Sequence, residues 1–205
     1  MRNFQLYRKA RSGFAITLLL ISWNACGQPS KVGTVPTTLQ KPRVQLDSIQ
    51  LLIEIAEGIR KERNDSLEII ARQIIGLSKA FPSYQAKGHY LLAYFQRTKY
   101  DYGTSAKNYQ LAAQLYQSVD STEGHLASLL ELGKAYSFSK NYAKALEIFW
   151  HYNREAIKAK DSSHIADSFM VIGLELGHMD SLEPKLVSYK KALVLYEKLG
   201  NELAK

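Results

Sequence analysis

Histidine side chains are the first candidates for chemistry in this sequence, because an imidazole can bind a metal ion or transfer a proton near neutral pH. The chain has five of them, at these positions: His89, His125, His151, His164 and His178. A zinc site of the H-E-x-x-H type needs two histidines four residues apart on one helix, with a glutamate beside the first. No pair here has that pattern. We therefore interpret the histidines as structural or partly exposed residues, and predict no metal site and no cofactor.

The motifs of nucleophilic and phosphate chemistry are also missing from the sequence. It has no G-x-S-x-G elbow, the turn that exposes a catalytic serine in many hydrolases. Gly173 and Gly177 lie in a helical stretch that follows no strand and lacks the Lys-Ser/Thr pair of a phosphate-binding loop. Serine and aspartate gather in predicted turns, as at Asp65-Ser66, where helix capping explains them. The sequence therefore predicts a protein that is not an enzyme.

An apolar leader precedes the single cysteine. Residues 1–13 carry four basic side chains and no acid, and an apolar run of ten residues follows, from Phe14 to Trp23. At ~1.5 Å per residue such a run forms about 15 Å of helix, half of the ~30 Å needed to cross a bilayer. Residues 1–25 are therefore predicted to be a cleaved export signal rather than a permanent membrane span.

The sequence around Cys26, Asn-Ala-Cys-Gly, resembles the end of a bacterial lipoprotein signal. The resemblance implies cleavage before Cys26, a lipid on that cysteine, and a membrane anchor in the cell envelope that faces the periplasm or the outside. Trp23 stands where such signals favour leucine, and an ordinary leader cut after Gly27 is the alternative. Residues 26–46 are rich in Pro, Thr and Gly without an apolar period, so they are predicted to form a flexible linker.

The net charge of +8 comes in part from the leader. Without its four basic residues the chain has 27 − 4 = 23 basic and 19 acidic residues, a net charge of +4. These basic residues are scattered among acids, whereas a nucleic-acid binder usually concentrates them in a stripe. Nucleic acid is therefore not expected as a partner.

The middle of the chain carries a pattern of large and small residues at helical spacing. Its members are Leu129, Leu132, Gly133, Tyr136, Ala145 and Phe149. Leu129, Leu132 and Tyr136 recur at three and four residues, so they share one face of a helix. Gly133 and Ala145 are small, which lets two facing helices approach closely, and Phe149 fills the space beside them.

This pattern resembles the tetratricopeptide repeat (TPR), W-x2-L-G-x2-Y…A-x3-F, with Leu129 in place of Trp and without the terminal proline. The resemblance implies antiparallel helical hairpins that stack into a right-handed superhelix, whose concave surface is lined by the first helix of each hairpin. Asn141 stands in the turn between the two helices, where its side chain is predicted to cap the second one.

The unit recurs with a period of about forty residues. Shifted by 40, Gly133 maps onto Gly173 and Phe149 onto Tyr189, and shifted back Phe149 maps onto Tyr109. This period exceeds the 34 residues of a standard TPR and resembles a longer form common in bacterial signalling proteins. With two further apolar-periodic runs upstream, the prediction is an all-α domain of about four hairpins over residues 47–205. Its helices are predicted near 47–63, 65–80, 83–99, 102–118, 122–139, 141–159, 162–178 and 182–199.

The resemblance to TPR proteins also predicts a binding surface. The residues at the phase that lines the concave groove are Tyr90, Tyr94, Arg97, Leu130, Lys134, Met170 and Leu174. They would form an aromatic and apolar groove with two basic side chains, which suits a peptide or a partner helix. Relatives that clamp a C-terminal carboxylate use a Lys and an Asn one turn apart on this face. Leu130 and Lys134 stand there instead, which does not fit that specialised role.

The sequence therefore predicts a non-enzymatic interaction scaffold of the bacterial cell envelope, which binds a protein or peptide in its concave groove. One alternative stays open. The long repeats, the leader and the abrupt end at Lys205 also resemble the extracytoplasmic front of TPR-containing histidine kinases or transcriptional regulators, cut off before the membrane span.

Overall fold

The architecture is that of an all-α repeat. The computed structural model describes residues 37–62 and 65–203, and every regular element within them is helical. In chain order the helices are α1 (Thr37–Ile59), α2 (Ser66–Leu77), α3 (Pro82–Thr98), α4 (Tyr102–Gln117), α5 (Thr122–Phe138), α6 (Tyr142–Ala159), α7 (Ser162–His178) and α8 (Leu182–Leu203). A 3-10 turn, Arg60–Glu62, follows α1. Consecutive helices pack as the hairpins α1–α2, α3–α4, α5–α6 and α7–α8, which confirms the predicted fold class.

Five of the connecting turns share one geometry and one spacing. Each holds a single residue in the left-handed conformation, and these residues are Tyr100, Asp120, Lys140, Lys160 and Asp180. They recur every 20 residues (120 − 100 = 20), so one hairpin spans 40. In each turn the next residue donates its N–H to a carbonyl in the last turn of the helix, as Asn141 does to Tyr136 at 3.0 Å. This is the Schellman arrangement that ends a helix, and its recurrence gives successive helices the same connection.

Side-chain caps begin three of the helices that follow these turns. The side chains of Asp101, Asn141 and Asp161 accept the backbone N–H three residues further on, at 3.2, 3.2 and 3.0 Å. The predicted role of Asn141 as the cap of α6 is confirmed. A cap of this kind stabilises a helix by about 1 kcal/mol, because it satisfies a donor that has no partner within the helix.

Gly133 and Gly173 have matching surroundings in neighbouring hairpins. A Cβ on Gly133 would lie 2.3 Å from Cε1 of Phe149, and a Cβ on Gly173 would lie 2.5 Å from Cε1 of Tyr189. In both hairpins an aromatic ring of the second helix rests directly on the glycine of the first. The missing side chain therefore sets how closely the two helices approach, as the forty-residue equivalence predicts.

Successive hairpins share their cores. The first residue of α4, Tyr102, stacks on Phe138 of α5, with ring centroids 5.8 Å apart and an interplanar angle of 22°. Forty residues later Tyr142 stacks in the same way on His178 of α7, at 4.6 Å and 13°. Buried Phe149 of α6 belongs to a core cluster with residues of α7. Each second helix therefore packs against the first helix of the next hairpin, which is how a repeat without a core of its own becomes stable.

Helices α1 and α8 extend beyond their predicted bounds. Helix α1 begins at Thr37, so part of the segment predicted to be a linker is helical. Pro42 lies within this helix, where it removes one backbone hydrogen bond without ending the helix. Helix α8 continues through Gly200 to Leu203, four residues past its predicted end at 199.

Several predictions fall outside the described residues. These are the export signal at residues 1–25, the lipidated Cys26 and the linker up to residue 36. From Lys41 onward the described residues form one compact unit, which contains the packed part of every hairpin. Within the described part of the chain, no helix is both long and apolar enough to cross a membrane.

Candidate partner-binding site

The residues predicted to line a groove all lie on the first helices of their hairpins. Tyr90, Tyr94 and Arg97 belong to α3, Leu130 and Lys134 to α5, and Met170 and Leu174 to α7. We call the surface that these seven residues form the first-helix face. Helix α3 starts with Pro82 at its first position, where the fixed backbone angle of proline suits a helix start.

Tyr94 is the centre of a row of aromatic rings and guanidinium groups. The guanidinium carbons of Arg97, one turn further along α3, and of Arg60, just after α1, both lie 5.2 Å from the centroid of its ring. Arg97 also lies 5.6 Å from the ring centroid of Phe138 at the end of α5. A cation within about 6 Å of a ring face is attracted to the ring's electrons. The row therefore connects the first helices of three hairpins.

Glu131 joins the two basic residues of the predicted site. Its carboxylate lies 3.3 Å from Nη2 of Arg97 and 2.7 Å from Nζ of Lys134. Nζ of Lys87, which lies 5.6 Å from the ring centroid of Tyr90, is 2.5 Å from the carboxylate of Glu57. With Arg60, which also pairs with Glu57, this surface has four cations and two carboxylates, a local charge of 4 − 2 = +2.

Two buried or partly buried tyrosines pack beside this network of ion pairs and cation–ring contacts. The rings of Tyr90 and the fully buried Tyr109 of α4 meet edge to face, with centroids 5.3 Å apart. Burial, and to a lesser degree the charge of Glu131, raises the pKa of Tyr90 to about 12. The same two causes raise the pKa of Tyr109 even further above its ordinary value. Both phenols are therefore neutral at physiological pH and present rings and hydroxyl groups rather than charge.

The three apolar residues of the first-helix face differ from one another in burial and in contacts. Leu130 is half-buried and packs against the cores on both sides of α5, so it also holds the hairpins together. Met170 and Leu174 on α7 are 46% and 48% exposed. Among the described residues, none of the ion pairs and ring contacts given above reaches these two. The structure thus brings Tyr90, Tyr94, Arg97 and Lys134 together and leaves Met170 and Leu174 as a separate apolar area.

Four charged members of the network were not predicted from the sequence: Glu57, Arg60, Lys87 and Glu131. Lys87 lies three residues before Tyr90, and helical spacing could have identified it. Glu57 and Arg60 come from the first hairpin, whose sequence matches the TPR pattern too poorly to indicate which residues line the groove. Glu131 stands beside Leu130, outside the positions that the pattern assigns to the groove.

One carboxylate–histidine cluster lies elsewhere, at the starts of α5 and α7. Ligand atoms of Glu123, Asp161 and His164 lie within 4.8 Å of one another. Nδ1 of His164 is 2.8 Å from the carboxylate of Asp161, which also caps α7. Capping and this pair account for both residues, so we assign no metal to the cluster.

A cavity of about 310 Å³ opens where α5 begins, and Ser121, His125, Glu155 and Lys158 are among its lining residues. Lys158 already pairs with Glu155 at 2.7 Å, and Nδ1 of His125 donates to the carbonyl of Ala113 at 2.9 Å. These groups have structural partners, and their arrangement does not resemble a nucleophile with its base.

Comparison with known proteins identifies solved structures with a similar fold. No protein-family model matches the chain, and no curated protein matches its sequence. The chain is similar to a crystal structure of MamA, with a TM-score of 0.58 and 15% identity, over 79% of this chain and 86% of that one. A second MamA crystal structure gives a TM-score of 0.56 and 15% identity, over 78% and 79%. MamA is a TPR-like helical repeat protein, and the chain described here accordingly has a TPR-type fold, a superhelix of helical hairpins.

Proposed function

We propose that this chain is a non-enzymatic scaffold that holds a segment of a partner protein on its first-helix face. A TPR-type fold favours a protein partner, and the concave side of such a superhelix is the surface that the first helices line. The local charge of +2 around Tyr94 favours a segment with acidic side chains. The half-exposed Met170 and Leu174 favour apolar side chains in the same segment.

This proposal rests on Tyr94, whose ring centroid lies 5.2 Å from the guanidinium carbons of both Arg60 and Arg97. Tyrosine and arginine dominate the binding energy of protein interfaces, because they combine a large ring or planar surface with hydrogen-bonding groups. Here the ion pairs of Arg97 and Lys134 with Glu131 hold the cationic side chains in place before a partner arrives. Preorganised side chains lose less conformational entropy on binding.

We expect the double variant Tyr94→Ala, Lys134→Ala to capture its partner at least about tenfold less well than the wild type, since hot-spot truncations cost 2 kcal/mol or more. The measurement is quantitative mass spectrometry of proteins retained from a cell-envelope extract by the full chain. Both side chains are partly exposed, but Tyr94 also packs against two core clusters. Circular dichroism of the variant therefore checks that it keeps its helical content.

A control replaces the same residue types outside the seven residues of this face. Tyr100 is 71% exposed, Lys140 is also exposed, and both stand in turns. The double variant Tyr100→Ala, Lys140→Ala should retain the partner as the wild type does. Equal retention by both double variants would contradict the proposed binding face.

We further propose that the chain is exported and held at a membrane of the cell envelope through a lipid on Cys26. This proposal rests on the apolar leader and on the Ala-Cys-Gly sequence that follows it. Replacing Cys26 with alanine is expected to move the protein from the membrane fraction to the soluble fraction, because the acyl chains would be the anchor. Fractionation of cells and the intact mass of the mature protein measure this.

Ser30→Ala, four residues beyond the cysteine, serves as the control and should leave the protein on the membrane. Unchanged membrane association of Cys26→Ala would refute the lipid anchor. A mature chain that starts at Gln28 would instead support an ordinary leader cut after Gly27.

A further inference from the structure

Helices α1 and α8 expose apolar side chains at positions whose equivalents in other hairpins pack against a neighbouring helix. On α8 the exposed fractions of Leu182, Leu186 and Leu193 are 64%, 56% and 57%. On α1 those of Val44 and Leu51 are 62% and 55%. Apolar side chains that stay in contact with water form a surface that a further packing partner can cover.

The residues of α6 that are equivalent to these α8 residues, forty positions earlier, are covered by α7. Leu186 is equivalent to Leu146 (186 − 146 = 40), which packs against the core cluster that includes Val171 and Ile172 of α7. Leu193 is equivalent to Asn153, whose amide donates to Ser168 of α7 at 2.7 Å. Leu182 is equivalent to Tyr142, which stacks on α7 as described above. All three positions on α8 are therefore ones that meet the first helix of a following hairpin.

The residues of α7 that are equivalent to the exposed α1 residues contact the second helix of the preceding hairpin. Leu51 lies three periods before Val171 (171 − 51 = 120), and Val44 lies three periods before His164. Val171 shares a core cluster with residues of α6, and the ring of His164 meets Tyr152 of α6 edge to face at 6.0 Å. Val44 and Leu51 therefore occupy positions that meet the second helix of a preceding hairpin.

We propose that copies of this chain stack head to tail, with α1 of one copy packed on α8 of the next as α7 packs on α6 within the chain. Each end supplies the surface that the other lacks.

Such a contact joins two different surfaces, so it does not close on itself and can add further copies. It continues the interface that already connects the hairpins, and it does not use Tyr94 or Arg97. Loss of partner binding and loss of stacking are therefore separable.

The test is sedimentation velocity of the full chain over a range of concentrations. The wild type is expected to form dimers and longer species as concentration rises. Leu51→Glu and Leu193→Glu should each sediment as a monomer, because each variant has lost one of its two faces. An equimolar mixture of the two variants should form a dimer that grows no further, since each variant supplies the face that the other retains.

A matched control is Leu111→Glu on α4, a leucine that is 44% exposed and belongs to neither end. It should associate as the wild type does. A wild type that stays monomeric at every concentration would overturn the proposal, and so would a mixture of the two variants that stays monomeric. Dimers of Leu51→Glu without dimers of Leu193→Glu would also overturn it, because they would indicate symmetric pairing through α8.

Cross-linking keeps the test decisive if a glutamate variant does not fold. Leu51→Cys mixed with Leu186→Cys should give a disulfide-linked dimer under mild oxidation, beyond any that the native Cys26 forms in the wild type. Absence of this mixed dimer would contradict the stacking of α1 on α8.

Discussion

Gly133→Ala is expected to lower the free energy of unfolding by about 1–3 kcal/mol, the usual cost of forcing extra atoms into a packed core. The new Cβ would lie 2.3 Å from Cε1 of Phe149, a ring that is 1% exposed. This ring has little room to move, because it belongs to a core cluster with Ala145 and Val171. Gly133→Leu should cost more. Urea unfolding or a melting curve measures the loss, with about 2–4 °C expected per kcal/mol for a chain of this size.

The sign of this effect is diagnostic, because alanine in place of glycine ordinarily stabilises a helix by about 1 kcal/mol. Gly103 on α4 is the matched control, since a Cβ there would meet no atom within 4 Å. Gly103→Ala should leave stability unchanged or raise it slightly. Adding Phe149→Leu to Gly133→Ala should recover part of the loss that the clash causes, which a double-mutant cycle detects. Equal stability of Gly133→Ala and Gly103→Ala would contradict the close helix pairing.

Glu175→Gln is expected to raise the stability at pH 7 by about 1–2 kcal/mol, since a buried charged group without full hydrogen bonding is costly. Glu175 on α7 is 1% exposed. Ser137 of α5 donates to its Oε1 at 2.7 Å, and no donor in the described part of the chain reaches its Oε2. The equivalent positions in α3 and α5 hold Phe95 and Ala135, which are buried and apolar.

The same carboxyl group gives stability a pH dependence. Burial raises the pKa of Glu175 above its ordinary value, against the opposing effects of Ser137 and His178. The folded state therefore binds this proton more tightly than the unfolded state does. Its contribution to stability is complete below the ordinary glutamate pKa of about 4.3 and is lost as the pH rises through the raised value.

Measured from pH 4 to pH 7, the stability of the wild type should therefore fall relative to that of Glu175→Gln. Glu147→Gln is the control, because the Glu147 side chain is 65% exposed in its pair with Lys144. It should change neither the stability nor its pH dependence noticeably. Parallel pH profiles of the wild type and Glu175→Gln would show that the buried carboxyl group is not the cause.

The repeat itself could be predicted from the sequence because its packing is local and periodic. The contacts of Gly133 with Phe149 and of Gly173 with Tyr189 follow from spacing alone. The turn residues could not be predicted from their types. Tyr100 and Lys140 adopt the left-handed conformation that usually signals glycine, and only their spacing of twenty residues identifies them.

The candidate site could be predicted only in part, for a related physical reason. The phase of a helix indicates which residues share a face, and it placed Tyr94, Arg97 and Lys134 together. It does not show which charges reach across from other helices. Glu131 and Arg60 enter the site through contacts between separate hairpins, and those depend on how the hairpins stack.

If the first-helix face binds the partner, and the side formed by the second helices does not, a probe on each side should give different results. The most direct measurement is photo-crosslinking in living cells, with the photoreactive residue p-benzoyl-phenylalanine placed at position 94 or at position 150 of the full chain. Trp150 lies on α6, a second helix, and is 39% exposed, whereas Tyr94 on α3 is partly exposed. We expect the probe in place of Tyr94 to give a discrete cross-linked partner, and the probe in place of Trp150 to give none. A partner cross-linked from position 150 and none from position 94 would contradict binding at the first-helix face.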